Sequence, residues 1–126
     1  MAYYTKFGLI ISNSYKDACN NNTNISFDEE LKIRKRLGEI SGLYNSNLSD
    51  DEILEFFDWD TYKWYNHVED MKTLSAEFPE YWFVLYGKGE NYGDLWKEMY
   101  HNSLYQRAEA EIIYPEFLSE EEWEYR

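Results

Sequence analysis

The chain has 126 residues with 12 basic and 25 acidic side chains, a net charge of −13, and aromatic residues make up 20% of it. That length builds one domain around one core, and the charge opposes nucleic-acid phosphates, whose binding depends on neutralisation by Lys and Arg. No apolar run approaches the roughly 18 residues of a membrane span, no basic and apolar leader is present, and the single Cys19 supports no internal disulfide framework, so the expectation is a soluble, cytoplasmic protein.

In chain order, Tyr3 to Ser12 alternates as a first strand, with Phe7, Leu9 and Ile11 on one face and Gly8 and Ile10 on the other. The polar, Asn-rich run Ser12 to Asn24 reads as a loop. Ser26 and Glu29 form a capping-box pattern that opens a helix, with Leu31, Ile33, Leu37, Ile40 and Tyr44 near one stripe and Lys32, Arg34, Lys35 and Arg36 on the outer side. This basic cluster is read as a solvated helix face.

A second capping pattern, Ser49 with Glu52, opens a short helix whose apolar side is Ile53, Leu54, Phe56 and Phe57. Asp50, Asp51, Glu52, Glu55, Asp58 and Asp60 place six carboxylates among residues 50–60 without one base. A β-favouring aromatic stretch around Tyr62 and Trp64 follows. Asn66 is a candidate N-cap, with Glu69 and Asp70 at the positive end of the helix dipole. Val68, Met71, Leu74 and Phe78 share one helical face, and Pro79 ends the helix. Tyr81 to Tyr86 reads as a central strand, bounded by Gly87 and Gly89. Asp94 to Tyr100 and Leu104 to Tyr114 alternate around a His101-Asn102-Ser103 turn as a half-buried antiparallel hairpin, with a helix over Leu95 to Ala110 as the alternative. Ser119 to Glu122 repeats the capping pattern, so residues 119–126 are an acidic tail in which Trp123 pins a short helix. The sum is a single α+β domain over residues 1–126, a mostly antiparallel sheet with helices on one face.

The run Lys63-Trp64-Tyr65, then His67, the Glu69-Asp70-Met71 helix, Pro79, an aromatic strand, Gly87, Gly89, Glu90, and Gly93-Asp94 with Trp96 resembles the ferredoxin-like domain of small phage and mobile-element proteins of the YubB-like family. The resemblance covers roughly residues 59 to 114. It implies a ferredoxin-like fold with an extra C-terminal hairpin and a phage or mobile-element origin, hence a place in the host-cell cytoplasm. It supplies no catalytic residues.

Chemistry signals are weak. His67, His101 and Cys19 lack the close spacing of zinc ligands, and His67 at a helix start is expected to make a local polar contact. A carboxylate set such as Asp58, Asp60 and Glu90 is uninformative among so many acids. Gly87 to Gly93 has the glycine density of a phosphate loop but no Lys-Ser/Thr after it, so it reads as a turn. No cofactor, no metal and no enzymatic activity are expected. Residues 1–49 carry a charge of +1 and residues 50–126 one of −14, so the acidity is lopsided. The expected function is that of a binding inhibitor that mimics nucleic acid and occupies the basic channel of a host defence protein, a CRISPR nuclease or a restriction enzyme. Its expected contact face comprises Asp50, Asp51, Glu52, Glu55, Asp58, Asp60, Glu109, Glu111, Glu120, Glu121, Glu122 and Glu124, with Trp59, Trp123 and Tyr125 as anchors. The alternative is a self-associating accessory or structural phage protein, a homodimer formed through sheet edges or an aromatic patch.

Overall fold

The computed structural model describes residues 4–43, 48–55, 58–90, 93–111 and 113–117. Strand β1 (Thr5–Ser12) is followed by α1 (Tyr15–Cys19), α2 (Phe27–Ser41), α3 (Asp50–Glu55), β2 (Asp58–Tyr62), α4 (His67–Glu77), β3 (Trp82–Lys88), β4 (Leu95–His101) and β5 (Leu104–Glu109). The strands form one sheet in the order β2-β1-β3-β4-β5, every neighbouring pair antiparallel. This is the α+β architecture expected, compatible with a ferredoxin-like fold carrying extra strands.

Alternation divides the sheet. Phe7, Leu9 and Ile11 of β1 lie across from Gly87, Leu85 and Phe83 of β3, which in turn oppose Trp96, Glu98 and Tyr100 of β4. These residues face α2 and α4, whose Ile33, Leu37, Met71 and Leu74 are buried against them in one core. Each fully buried Leu, Ile or Phe contributes about 1.5–3 kcal/mol, so this face carries most of the stability. β3 is central, as expected, with Phe83 and Leu85 buried on the helix side and Val84 on the other.

Both serines cap their helices, and only Ser49 with Glu52 closes the reciprocal box. Ser26 Oγ accepts from the Glu29 N–H, and in α3 Ser49 Oγ accepts from the Glu52 N–H while Glu52 accepts from the Ser49 N–H. Asn66 occupies the cap position of α4 without a side-chain cap bond, so that start rests on the dipole and on packing. Three further expectations change. The Asn-rich loop contains α1, capped by Ser14, whose Ala18 is buried against the sheet face opposite α2 and α4. Arg34 is not on the outer side of α2: it is 5% exposed and donates to the Leu9 carbonyl at 2.9 Å and to Glu30. The strand expected around Tyr62 and Trp64 lies earlier, at Asp58–Tyr62, and Trp64 packs into the core after it.

The hairpin of β4 and β5 replaces the helical alternative. Asn102 (φ 46°) and Ser103 (φ 70°) are both left-handed, the geometry of a two-residue turn whose twist matches the flanking strands. Only the β4 strand of the hairpin is half-buried, with Trp96, Glu98 and Tyr100 turned inward, while all six residues of β5 are exposed. The buried side chains of α2 and α4 pack with those of β1, β3 and β4, and only a fringe of α4 reaches β5. Residues 119–126, with their expected capping pattern and helix, lie outside the described residues.

Candidate functional site

The acidic residues singled out in the sequence fall in separate places. Asp50, Asp51, Glu52 and Glu55 are exposed on α3, and the first three occupy its first turn, where the helix dipole favours negative charge. Asp58, Trp59 and Asp60 follow in β2; their side chains lie outside the described residues. Glu109 is exposed on β5 and Glu111 just after it. β2 and β5 are opposite edges of the sheet, separated by β1, β3 and β4, about 19 Å apart at a strand spacing near 4.8 Å. The structure therefore does not bring the two groups into one row. Glu120, Glu121, Glu122, Trp123, Glu124 and Tyr125 lie outside the described residues.

The ion pairs of the described residues lie away from α3. Arg34 pairs with Glu30, Arg36 with Glu39 and Glu77, and Arg107 with Glu98 and Glu109. Among the described residues no ion pair reaches Asp50, Asp51, Glu52 or Glu55. Arg34, Arg36 and Arg107 are thus engaged on the α2, α4 and β5 side, and among the described residues none of them pairs with an α3 carboxylate. Arg36, moreover, is no free member of the basic cluster on α2, and Lys32 lies over the Phe78 ring at 5.8 Å.

A second constellation escaped the sequence reading. Glu98 on β4 is 1% exposed. Its carboxylate accepts from Tyr100 Oη at 2.7 Å, from Arg107 Nη1 on β5 at 2.7 Å and from His67 Nε2 at the start of α4 at 3.0 Å. Burial alone would push its pKa up, but the bonds from His67, Tyr100 and Arg107 outweigh burial and hold it below the ordinary carboxylate value. The same contact, with burial, keeps the Tyr100 phenol well above its usual value. For Arg107, burial opposes the charge and the Glu98 carboxylate more than offsets it. His67 Nδ1 faces the Trp64 carbonyl at 3.3 Å. The expected local contact of His67 is present, joined by this long-range one.

Trp96 is the wall of this cluster. His67 stacks on it at 5.0 Å between centroids, and the Arg107 guanidinium sits over the ring at 4.6 Å. Gly87, across the strand pair, makes room: a Cβ there would lie 2.1 Å from two ring carbons of Trp96. The Gly87 expected to bound a turn is therefore inside β3, and its role is close packing. Beside the cluster opens a cleft of about 250 Å³ lined by Phe7, Trp64, Tyr65, His67, Trp96 and Arg107. Glu98 does not face it as a free base, since its side chain has no exposure and its oxygens are taken by internal donors. The arrangement ties α4, β4 and β5 together. The signal available in the sequence was phase: Glu98 shares the strand face of Trp96 and Tyr100, and counting back across the Asn102-Ser103 turn sets Arg107 opposite it.

Among the described residues no three His, Cys, Asp or Glu side chains gather as a metal-binding group, and no helix is long and apolar enough to cross a membrane. Compared with family models, with curated proteins and with solved structures, the chain gives no match.

Proposed function

We propose that this chain is a non-enzymatic inhibitor that binds a basic, nucleic-acid-binding defence protein of a host cell, a CRISPR nuclease or a restriction enzyme, by presenting carboxylates in place of phosphates. The observation that carries the reading is the clustered acidic charge of α3: Asp50, Asp51, Glu52 and Glu55 are exposed and outside every ion pair among the described residues, while Arg34, Arg36 and Arg107 are engaged elsewhere. Such a patch raises the encounter rate with a Lys- and Arg-lined groove and repels nucleic acid itself. Its phage character rests on the resemblance of residues 59 to 114, and cytoplasmic action in the host follows from the same reading. With β5 at the far edge, α3 and the adjoining β2 form the contact face, and Glu109 and Glu111 belong to a different surface.

The test is cleavage by a panel of CRISPR nucleases and restriction enzymes with a molar excess of this protein at about 50 and 500 mM salt. Inhibition at low salt that high salt relieves is expected. Replacing Asp50, Asp51 and Glu55 by Lys, with the Glu52 cap retained, should abolish it while the circular dichroism spectrum stays that of the folded protein. Normal cleavage by every enzyme in the panel, or inhibition untouched by the reversal, would remove the basis for the reading.

A further inference from the structure

The two edges of the sheet are built differently. β2 pairs with β1 through a register shift at Phe7/Gly8 and carries Asp58 and Asp60 in its sequence; bulges and charges are how natural sheets blunt an edge. β5 runs in unbroken register with β4 over all six residues and contains neither Pro nor Lys. The Ala110 N–H donates to the Leu95 carbonyl. Antiparallel bonding alternates from that pair, so Ala108, Gln106 and Leu104 also bond inward to β4. The N–H and C=O groups of Tyr105, Arg107 and Glu109 therefore point away from the sheet, and among the described residues no strand pairs with them.

Exposed apolar side chains concentrate here too. Leu104 (72%), Tyr105 (39%), Ile113 (80%), Tyr114 (74%) and Phe117 (97%) lie on β5 or just beyond it, and Leu95 stands opposite its end.

We propose that β5 is the self-association edge of the protein, and that two copies pair β5 to β5 antiparallel about a two-fold axis through Ala108, giving one ten-stranded sheet. The charge pattern selects the copy and the register. With the axis at Ala108, Arg107 opposes Glu109 of the second copy and Glu109 opposes its Arg107, and Tyr105 meets Glu111. The outward-pointing backbone groups of these odd-numbered residues meet each other, as a hydrogen-bonded ladder requires. Moving the axis to Arg107 or to Glu109 sets like charges face to face, which cross-strand pairs disfavour. An axis at Gln106 brings Ser103 of the turn into the ladder, where its left-handed φ of 70° cannot continue a strand. Only the Ala108 register both matches charge and stays extended. The inference is independent of the inhibitor reading, which concerns α3.

Sedimentation equilibrium and cysteine cross-linking test it. The wild-type protein is expected to reach twice the monomer mass at high micromolar concentration, more readily at 500 than at 50 mM NaCl, because both copies are acidic. In the proposed register the two Ala108 residues form a non-hydrogen-bonded pair with Cα atoms about 4.5 Å apart, inside the range a disulfide accepts. Ala108→Cys, made in a Cys19→Ser background because Cys19 is exposed, should therefore oxidise to a covalent dimer. Ala110→Cys, opposed by Gln106, should not. Glu109→Pro removes an outward N–H and the carboxylate beside Arg107 but no inward bond to β4, and should give a monomer with an unchanged circular dichroism spectrum. A wild-type monomer at every concentration overturns the proposal, as does a dimer that survives Glu109→Pro and does not link through position 108.

Discussion

Replacing Glu98 by Gln tests whether a buried charge organises the β4–β5 end of the molecule. The substitution keeps the shape but removes the charge, and it turns one acceptor oxygen into an NH2 donor facing other donors. The carboxylate accepts from three groups, two of them at 2.7 Å, and has no solvent to replace them. Breaking one side of a buried pair costs about 3–5 kcal/mol. Arg107 keeps 31% of its side chain in water and is partly rescued by hydration, so the lower end, about 3 kcal/mol at pH 7, is expected. With a urea slope near 2 kcal/mol per molar, the unfolding midpoint should fall by about 1.5 M, followed by tryptophan fluorescence. The pH dependence carries a definite sign. Because the folded pKa of Glu98 lies below the unfolded value of 4.5, its contribution is complete above 4.5 and is lost as pH falls through the folded value. The gap between wild type and Glu98→Gln should therefore narrow in acid. A midpoint within about 0.3 M of wild type at pH 7, or a gap that does not change between pH 7 and pH 3, would refute the reasoning.

Other outcomes follow from single contacts. Gly87→Ala should cost about 3 kcal/mol or more, since Trp96 is buried and packed against His67 and Arg107 and has little room to yield to a Cβ 2.1 Å from its ring; urea unfolding reads it, and a loss below about 1 kcal/mol would mean that the ring moves freely. Ser103→Gly should stabilise by about 0.5–1 kcal/mol, because it relieves a left-handed serine while leaving the bond from the Ser103 N–H to Ser75 Oγ in place. Arg34→Met should lose about 2 kcal/mol through its bonds to Leu9 and Glu30, whereas Lys35→Met, at an exposed position, should change the thermal midpoint by no more than a degree or two. In an absorbance titration Tyr100 should stay protonated above pH 10 for as long as the fold persists.

What was legible in the sequence was whatever local chemistry decides. Ser26 with Glu29 and Ser49 with Glu52 announce helix starts because the partners are three residues apart and need nothing else. The apolar phase of Phe7, Leu9 and Ile11 and the face of Met71 and Leu74 likewise follow from strand and helix periods alone. What was hidden depends on partners distant in the chain. Arg34 reads as one of four surface cations until β1 supplies the Leu9 carbonyl. Glu98 reads as a polar strand residue until His67 arrives from 31 positions away. α1 is too short, at five residues, to rise above its Asn-rich surroundings. The acidic face failed as one surface for a topological reason: sequence places Glu109 near the end of an acidic half, but the sheet order carries it to the edge opposite β2.

The unequal edges also set how far assembly can run. A chain with two open edges adds neighbours without limit, because each addition exposes a fresh copy of the surface just covered. Here the β1–β2 register shift at Phe7/Gly8 leaves one edge irregular while β5 stays regular. Pairing through β5 consumes the receptive edge of both partners at once and turns the irregular ones outward. In the proposed dimer the β2 bulge opposite Phe7 and Gly8 would thus work as a stop signal, confining the assembly to a closed pair and keeping it from seeding a fibre.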